Sequence, residues 1–220
     1  MGAIRDFMDH HYRHFNARET VAAARAWEAH LEAGGKMLVT LAGAMSTGEL
    51  GRILARMIRE GKVHAISCTG ANLEEDVFNL VAHDEYEIVP DWRALSAADE
   101  VALYDRGMNR VTDTCIPEDV MRHLERRLLA RWSAACDAGE RKSPAGFLFE
   151  LLRSGELEEH YQIDPAHSWM LAAAEADLPV WAPGWEDSTM GNIFAASVLA
   201  GRLPHHQCVW SGTEQFAHLI

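Results

Sequence analysis

Apolar residues Val21, Ala24, Trp27 and Leu31 recur at helical spacing, and this predicts a helix over residues 17–33, capped by Asn16 and stopped by Gly34 and Gly35. The period then changes. Residues 36–41 form a short apolar run with a β-branched centre, which reads as a buried strand. A small-residue turn over 42–48 leads into an amphipathic helix ending near Gly61, and residues 63–68 repeat the strand signal before a turn at 69–72 opens another helix. The same order of strand, loop and helix returns at 179–182 followed by 184–192, and more weakly at 207–210 followed by 211–213.

Alternating strands and helices of this kind predict an α/β fold, a Rossmann-like parallel sheet with flanking helices. Residues 91–176 read as a helical insert covering sheet faces, with Pro117, Pro144 and Pro165 each placed to begin a helix. With no Ser/Gly-rich linker, repeat or low-complexity tract, residues 1–220 read as one domain.

In an open parallel sheet, ligands bind beyond the carboxyl ends of the strands, where loops hand over to helix N-termini. Three loops meet that description. The first, 42–48, carries small residues that let backbone amides approach a phosphate, and Ser46 and Thr47 add hydroxyls; an ordinary helix cap explains the same residues. It is neither GxGxxG nor a P-loop. In the second, Thr69, Gly70 and Ala71 precede Glu74, Glu75 and Asp76, expected in the first turn of a helix. Those carboxylates suit either the helix dipole or an ammonium ligand. The third, 185–192, crowds Glu186, Asp187, Ser188, Thr189 and Asn192 between apolar stretches, more polar groups than a plain turn needs.

Charge and composition narrow the partners. Lys and Arg number 20 against 33 Asp and Glu, a net charge of -13, which disfavours nucleic acid and anionic membranes and suits a cationic substrate. No apolar run approaches the roughly 20 residues that span a bilayer, and the charged, His-rich start is unlike a signal peptide. Four cysteines, widely spaced and without CxxC or zinc spacing, read as reduced thiols of a cytoplasmic chain. His10, His11 and His14, like His205 and His206, read as surface histidines rather than metal ligands. The tryptophans read as core and interface residues.

The segments HHYRHFNA, GGKMLVTLAGAMSTGELG, VHAISCTGANLEEDVFNLVAHDEYE, MNRVTDTCIPED, YQIDPAHSWMLAAAE and PVWAPGWEDSTMGNIFA together resemble the deoxyhypusine synthase family, specifically its bacterial deoxyhypusine synthase-like branch. The resemblance runs along nearly the whole chain. It implies a Rossmann-like NAD fold in a homotetramer with active sites at dimer interfaces. It also implies NAD-dependent transfer of the aminobutyl group of spermidine, through an imine on an enzyme lysine, to an acceptor amine: a protein lysine, or putrescine in homospermidine-forming relatives. By that resemblance Ser46, Thr69, Gly70, Ala71, Glu75 and Asp187 contact NAD, and Glu74, Glu75 and Asn192 hold the polyamine.

Two positions depart from the family pattern. Gly43 replaces an asparagine that contacts the cofactor, and Asn192 replaces an aspartate that holds an amine. Lys36, Lys62 and Lys142 all lie away from the carboxyl edge of the expected sheet. The resemblance implies that the imine-forming lysine belongs to a further C-terminal segment that these residues do not include, in keeping with the placement of the three lysines, and a sheet cut before that segment is expected to leave an exposed edge prone to association. The alternative reading is a non-catalytic oligomeric protein, a polyamine- or nucleotide-binding remnant of that scaffold.

Overall fold

The computed structural model describes residues 2–219, and chain contacts divide into two units, residues 1–37 and 38–220. The first unit holds α1 (Ala3–His11) and α2 (Phe15–Glu32), joined by the ion pairs Arg5–Glu28 at 2.7 Å and Arg25–Asp9 at 2.6 Å. Asn16 does not cap α2. The helix begins at Phe15, two residues earlier than expected, with His14 at the cap position, and the Asn16 carbonyl accepts from Thr20 Oγ1 at 2.9 Å inside the first turn. His10, His11 and His14 are exposed, and no group of three or more His, Cys, Asp or Glu among the described residues is arranged to hold a metal ion.

The second unit is built on β1 (Leu38–Leu41), β2 (Ala65–Cys68) and β6 (Val180–Trp181), parallel and in the order β1-β2-β6. This is the Rossmann-like parallel sheet that the pattern predicts, but β1, expected to be buried, stands at its edge and buries only Leu41 while Leu38 and Thr40 are exposed. Ile66, fully buried on the central strand, registers with Val39 on one side and Val180 on the other. The crossover from β1 to β2 runs through α3 (Gly51–Arg59), which buries Leu54, Ala55 and Ile58 at helical spacing while Arg52, Arg56 and Arg59 stay exposed. After β2 comes α4 (Gly70–Ala82), buried along nearly its whole length. Such burial explains the apolar residues Leu73, Val77, Phe78 and Leu80 but leaves three consecutive buried carboxylates to be accounted for.

The stretch between α4 and β6 is less purely helical than its prolines suggest. It contains a second, antiparallel sheet in the order β3-β5-β4, made of β3 (Glu87–Ile88), β4 (Met108–Val111) and β5 (Thr114–Pro117), with α5 (Ala97–Asp105) between β3 and β4. β4 and β5 form a hairpin turning through Thr112 and Asp113, where Thr112 takes φ 56°. Neither residue is the glycine that advertises such turns, so the periodicity of the sequence missed it. Pro117 caps α6 (Glu118–Ala138), and Pro144 stands at the first position of α7 (Pro144–Arg153), whereas Pro165 opens only a single 3-10 turn before α8 (Trp169–Ala176).

Beyond β6 the chain enters α9 (Thr189–Leu199) and ends in α10 (Gly212–Leu219). Residues 207–210 do not add a strand to the parallel sheet among the described residues; Val209 makes one bridge to Lys142. The segment is held there by Lys142 N donating to the Cys208 carbonyl at 2.9 Å and Trp210 N to the Lys142 carbonyl at 2.9 Å, and Val209 and Trp210 line a cavity with Phe194, Val198 and Leu199 of α9. No described helix is long and apolar enough to cross a membrane. The four cysteines are free and buried.

Candidate functional site

Parallel pairing puts the carboxyl ends of β1, β2 and β6 on one edge, so the loops that follow them meet. Thr69 Oγ1 donates to the Gly43 carbonyl at 3.2 Å and Asn72 Nδ2 donates to the same carbonyl at 2.8 Å, binding the second loop to the first. Gly70 binds the second to the third: a Cβ there would stand 2.8 Å from Trp185 Cα and 2.8 Å from Ser188 Cβ. Gly70 is required for packing, and Thr69 and Asn72 for loop-to-loop contact.

Ser46 lies behind this edge, 1% exposed. Its hydroxyl donates to the Asn72 carbonyl at 2.7 Å and accepts from Trp169 Nε1 at 3.0 Å, its amide donates to Asn72 Oδ1 at 3.0 Å, and its carbonyl accepts from Asn79 Nδ2 at 2.6 Å. Every polar atom of Ser46 is thus engaged within the protein. Ala42, Gly43 and Met45 remain exposed in the first loop, with open space beside Gly43 at φ 61°, and Asp187 is exposed in the third; Ala71 is half-buried. Small residues with open backbone and a free carboxylate able to accept paired hydroxyls fit a ribose-bearing nucleotide.

Glu74, Glu75 and Asp76 sit in the second turn of α4, not the first, so the helix dipole does not explain them. All three are buried, and each faces a different neighbour because successive helical residues are turned by about 100°. Glu74 Oε1 accepts from Thr189 N at 2.9 Å and Oε2 from Met190 N at 2.7 Å, so a carboxylate from α4 caps the N-terminus of α9. Burial nevertheless pushes its pKa up to about 7 against the pull of those amides. Asp76 Oδ2 accepts from Ser168 Oγ at 2.6 Å and Met170 N at 2.9 Å, capping α8 in the same way, and burial raises it to about 6. Glu75 points elsewhere. Its Oε2 accepts from Thr47 N at 3.3 Å, and burial raises its pKa above the usual range.

Glu75 faces an open cleft of about 530 Å³ whose lining also includes Glu74, Asn109, Glu118, Thr189 and Asn192. The three residues expected from the family resemblance to hold a polyamine therefore share one cavity. Asn192 Nδ2 is turned back to the Ser188 carbonyl at 2.8 Å, which stiffens the start of α9. Next to Glu75, the half-buried Tyr86 has its phenol pushed up by burial and by the charges of Glu75, Asp76 and Glu49; its Oη, shielded from solvent, and Asn79 Oδ1 find no partner among the described residues. Asn109 and Glu118, in β4 and at the start of α6, escaped the sequence reading because nothing in their spacing marks a site. Only the hairpin and the packing of α6 against α4 bring them to the cleft.

A parallel sheet with converging loops at its carboxyl edge and a carboxylate-lined cleft beside them defines a Rossmann-like α/β protein with a candidate small-molecule site. The family model described as deoxyhypusine synthase matches residues 7–209, and the chain belongs to that family. Among curated relatives, "Probable deoxyhypusine synthase 2" of Methanosarcina mazei is 26% identical over 183 residues, covering 80% of this chain and 48% of its own length. "Probable deoxyhypusine synthase 1" of Archaeoglobus fulgidus is 26% identical over 177 residues, covering 80% and 53%. "Deoxyhypusine synthase" of Encephalitozoon cuniculi is 28% identical over 148 residues, covering 65% and 40%. The chain spans about half the length of the curated relatives it matches. A crystal structure from Entamoeba histolytica, described as a candidate deoxyhypusine synthase, superposes with a TM-score of 0.53 at 11% identity over 83% of this chain and 51% of that one, which shows the fold.

Proposed function

We propose that this chain binds a linear polyamine in the cleft at Glu75 and NAD across the three-loop edge, as part of an aminobutyl transfer from spermidine to an acceptor amine, a protein lysine or putrescine. The observation that carries the reading is the convergence of Glu74, Glu75 and Asn192 on one cavity, in a chain of net charge -13. Residues 1–220 act in it as one functional domain, in a cytoplasmic homotetramer.

Glu75 holds the leading ammonium, since it lines the cleft with one oxygen bound by Thr47 N and a charge-assisted contact in a half-dry site is strong. Glu74 fixes α9, and through it the position of Asn192 on the cleft wall. Asn192, a neutral amide, accepts a hydrogen bond from an amine without pairing its charge, so the central nitrogen of the ligand is its natural partner. Thr69 and Asn72 hold the first loop against the second, Gly70 admits the third, and Asp187 takes ribose hydroxyls. When bound, NAD supplies the two-electron oxidation of the amine's carbon–nitrogen bond and its later reversal.

A second reading, binding without transfer, is favoured by one observation. None of the residues lining the cleft is a lysine, and Lys142 is held by Glu140 at 3.0 Å and Glu150 at 2.9 Å. Calorimetric titration of the full chain with NAD and with spermidine tests both readings. Saturable binding of both ligands, with Glu75→Gln weakening spermidine about tenfold or more, supports the proposal, in keeping with about 1.5–3 kcal/mol for a hydrogen bond to a charged group. Absence of heat for either ligand overturns it. Binding of both ligands without NAD-dependent cleavage of labelled spermidine, with or without an added acceptor, selects the second reading.

A further inference from the structure

Across the cleft from α4, at the first turn of α6, Glu118 is held in an arrangement that a solvated surface pair does not need. Its Oε2 accepts from Asn109 Nδ2 at 2.8 Å, which fixes the carboxylate on the cleft wall. Its Oε1 meets Arg122 Nη2 at 2.5 Å, and Arg122 also lines the cleft. The same guanidinium donates from Nη1 to Glu125 Oε2 at 2.8 Å, and Glu125, only 10% exposed in its side chain, is bound on its other oxygen by Arg202 at 2.8 Å. Arg122 is therefore divided between a buried carboxylate that keeps it and a cleft carboxylate that it neutralises.

We propose that Glu118 is a specificity-determining residue for the far ammonium group of a linear polyamine, and that Arg122 is the resident cation displaced when that group arrives. The inference rests on the reading of the cleft as an amine site and deepens it. Of the three cleft carboxylates, Glu74 has both oxygens taken by α9 amides, which leaves Glu75 on one wall and Glu118 on the other to face a ligand charged at both ends. Exchange of Arg122 for an ammonium leaves the charge paired with Glu118 unchanged, while Arg122 stays paired with Glu125. A monoamine, engaging Glu75 alone, gains nothing from Glu118. The plainer account is an ordinary exposed i,i+4 pair, which adds little to stability and has no bearing on ligands.

The two accounts part in a titration of the full chain with spermidine and with n-butylamine, using the wild type and the variants Glu118→Gln, Arg122→Met and Glu75→Gln. The proposal expects Glu118→Gln to weaken spermidine about tenfold while leaving n-butylamine within twofold, and Arg122→Met to tighten spermidine severalfold by removing the competing cation. The second variant moves in the direction opposite to damage, so lost folding cannot imitate it. Unchanged spermidine affinity in Glu118→Gln, or weaker binding in Arg122→Met, overturns the proposal while the Glu75 effect keeps the amine site. Wild-type protein that binds no spermidine overturns both.

Discussion

Met190 N donates to Glu74 Oε2 at 2.7 Å across 116 residues of sequence, so that a carboxylate buried in one helix caps the next helix of the sheet edge. With Thr189 N on its other oxygen, Glu74 links the second loop to the third and sets where Asn192 stands. Replacement by alanine removes two hydrogen bonds to the carboxylate and leaves the buried Met190 amide and the part-buried Thr189 amide without it. Glu74→Ala should lose about 3 kcal/mol of stability, measured by urea unfolding, and should weaken spermidine binding through the displaced α9.

Two buried acids make stability depend on pH with a definite sign. Glu74 rises from 4.5 to about 7 and Asp76 from 3.8 to about 6 on folding, both chiefly through burial. The folded state then binds more protons than the unfolded state between pH of about 4 and about 7, so stability falls as pH rises through that window. A thermal midpoint higher near pH 5 than near pH 8 is expected. Glu74→Gln should flatten the slope; an unchanged slope would remove Glu74 as its source.

Ser46 binds the first loop to α4 and α8 at once. Ser46→Ala removes the hydroxyl between Asn72 and Trp169 and leaves the indole Nε1 without its acceptor in the core. A loss of about 2 kcal/mol is expected by denaturant unfolding, with NAD affinity reduced through loop disorder rather than a lost contact. Equal losses of stability and no change in NAD affinity would confine Ser46 to the scaffold.

Gly191 is closed to any side chain. A Cβ there would fall 2.3 Å from the Trp185 carbonyl oxygen and 2.9 Å from Glu186 Cα, both backbone atoms of the third loop. Gly191→Ala should push that loop from α9 at a cost of about 2 kcal/mol, visible as a lower melting temperature and weaker binding of both ligands.

Much of the site's location was legible in the chain. Apolar runs at 36–41, 63–68 and 179–182, each followed by a small-residue loop, placed three strands and their carboxyl-edge loops, although the apolar signal overstated the burial of the edge strand β1, where Leu38 and Thr40 are exposed. What failed was local and specific. The 207–210 run had the composition of a strand but pairs only through Val209, and the β4–β5 hairpin turned without a glycine. Periodicity cannot see a partner that is far away in sequence.

The sequence by itself determined the α/β alternation, the acidic balance and the family, since these depend on composition, period and short motifs. Only the tertiary structure decided what each carboxylate of Glu74-Glu75-Asp76 does. Three neighbours in the chain, turned by helical geometry, reach α9, the cleft and α8 respectively, so identical chemistry becomes two helix caps and one carboxylate lining the cleft. Asn109 and Glu118 join Glu75 for the same reason: a cleft is made by the packing of separate elements, and no spacing along the chain records it.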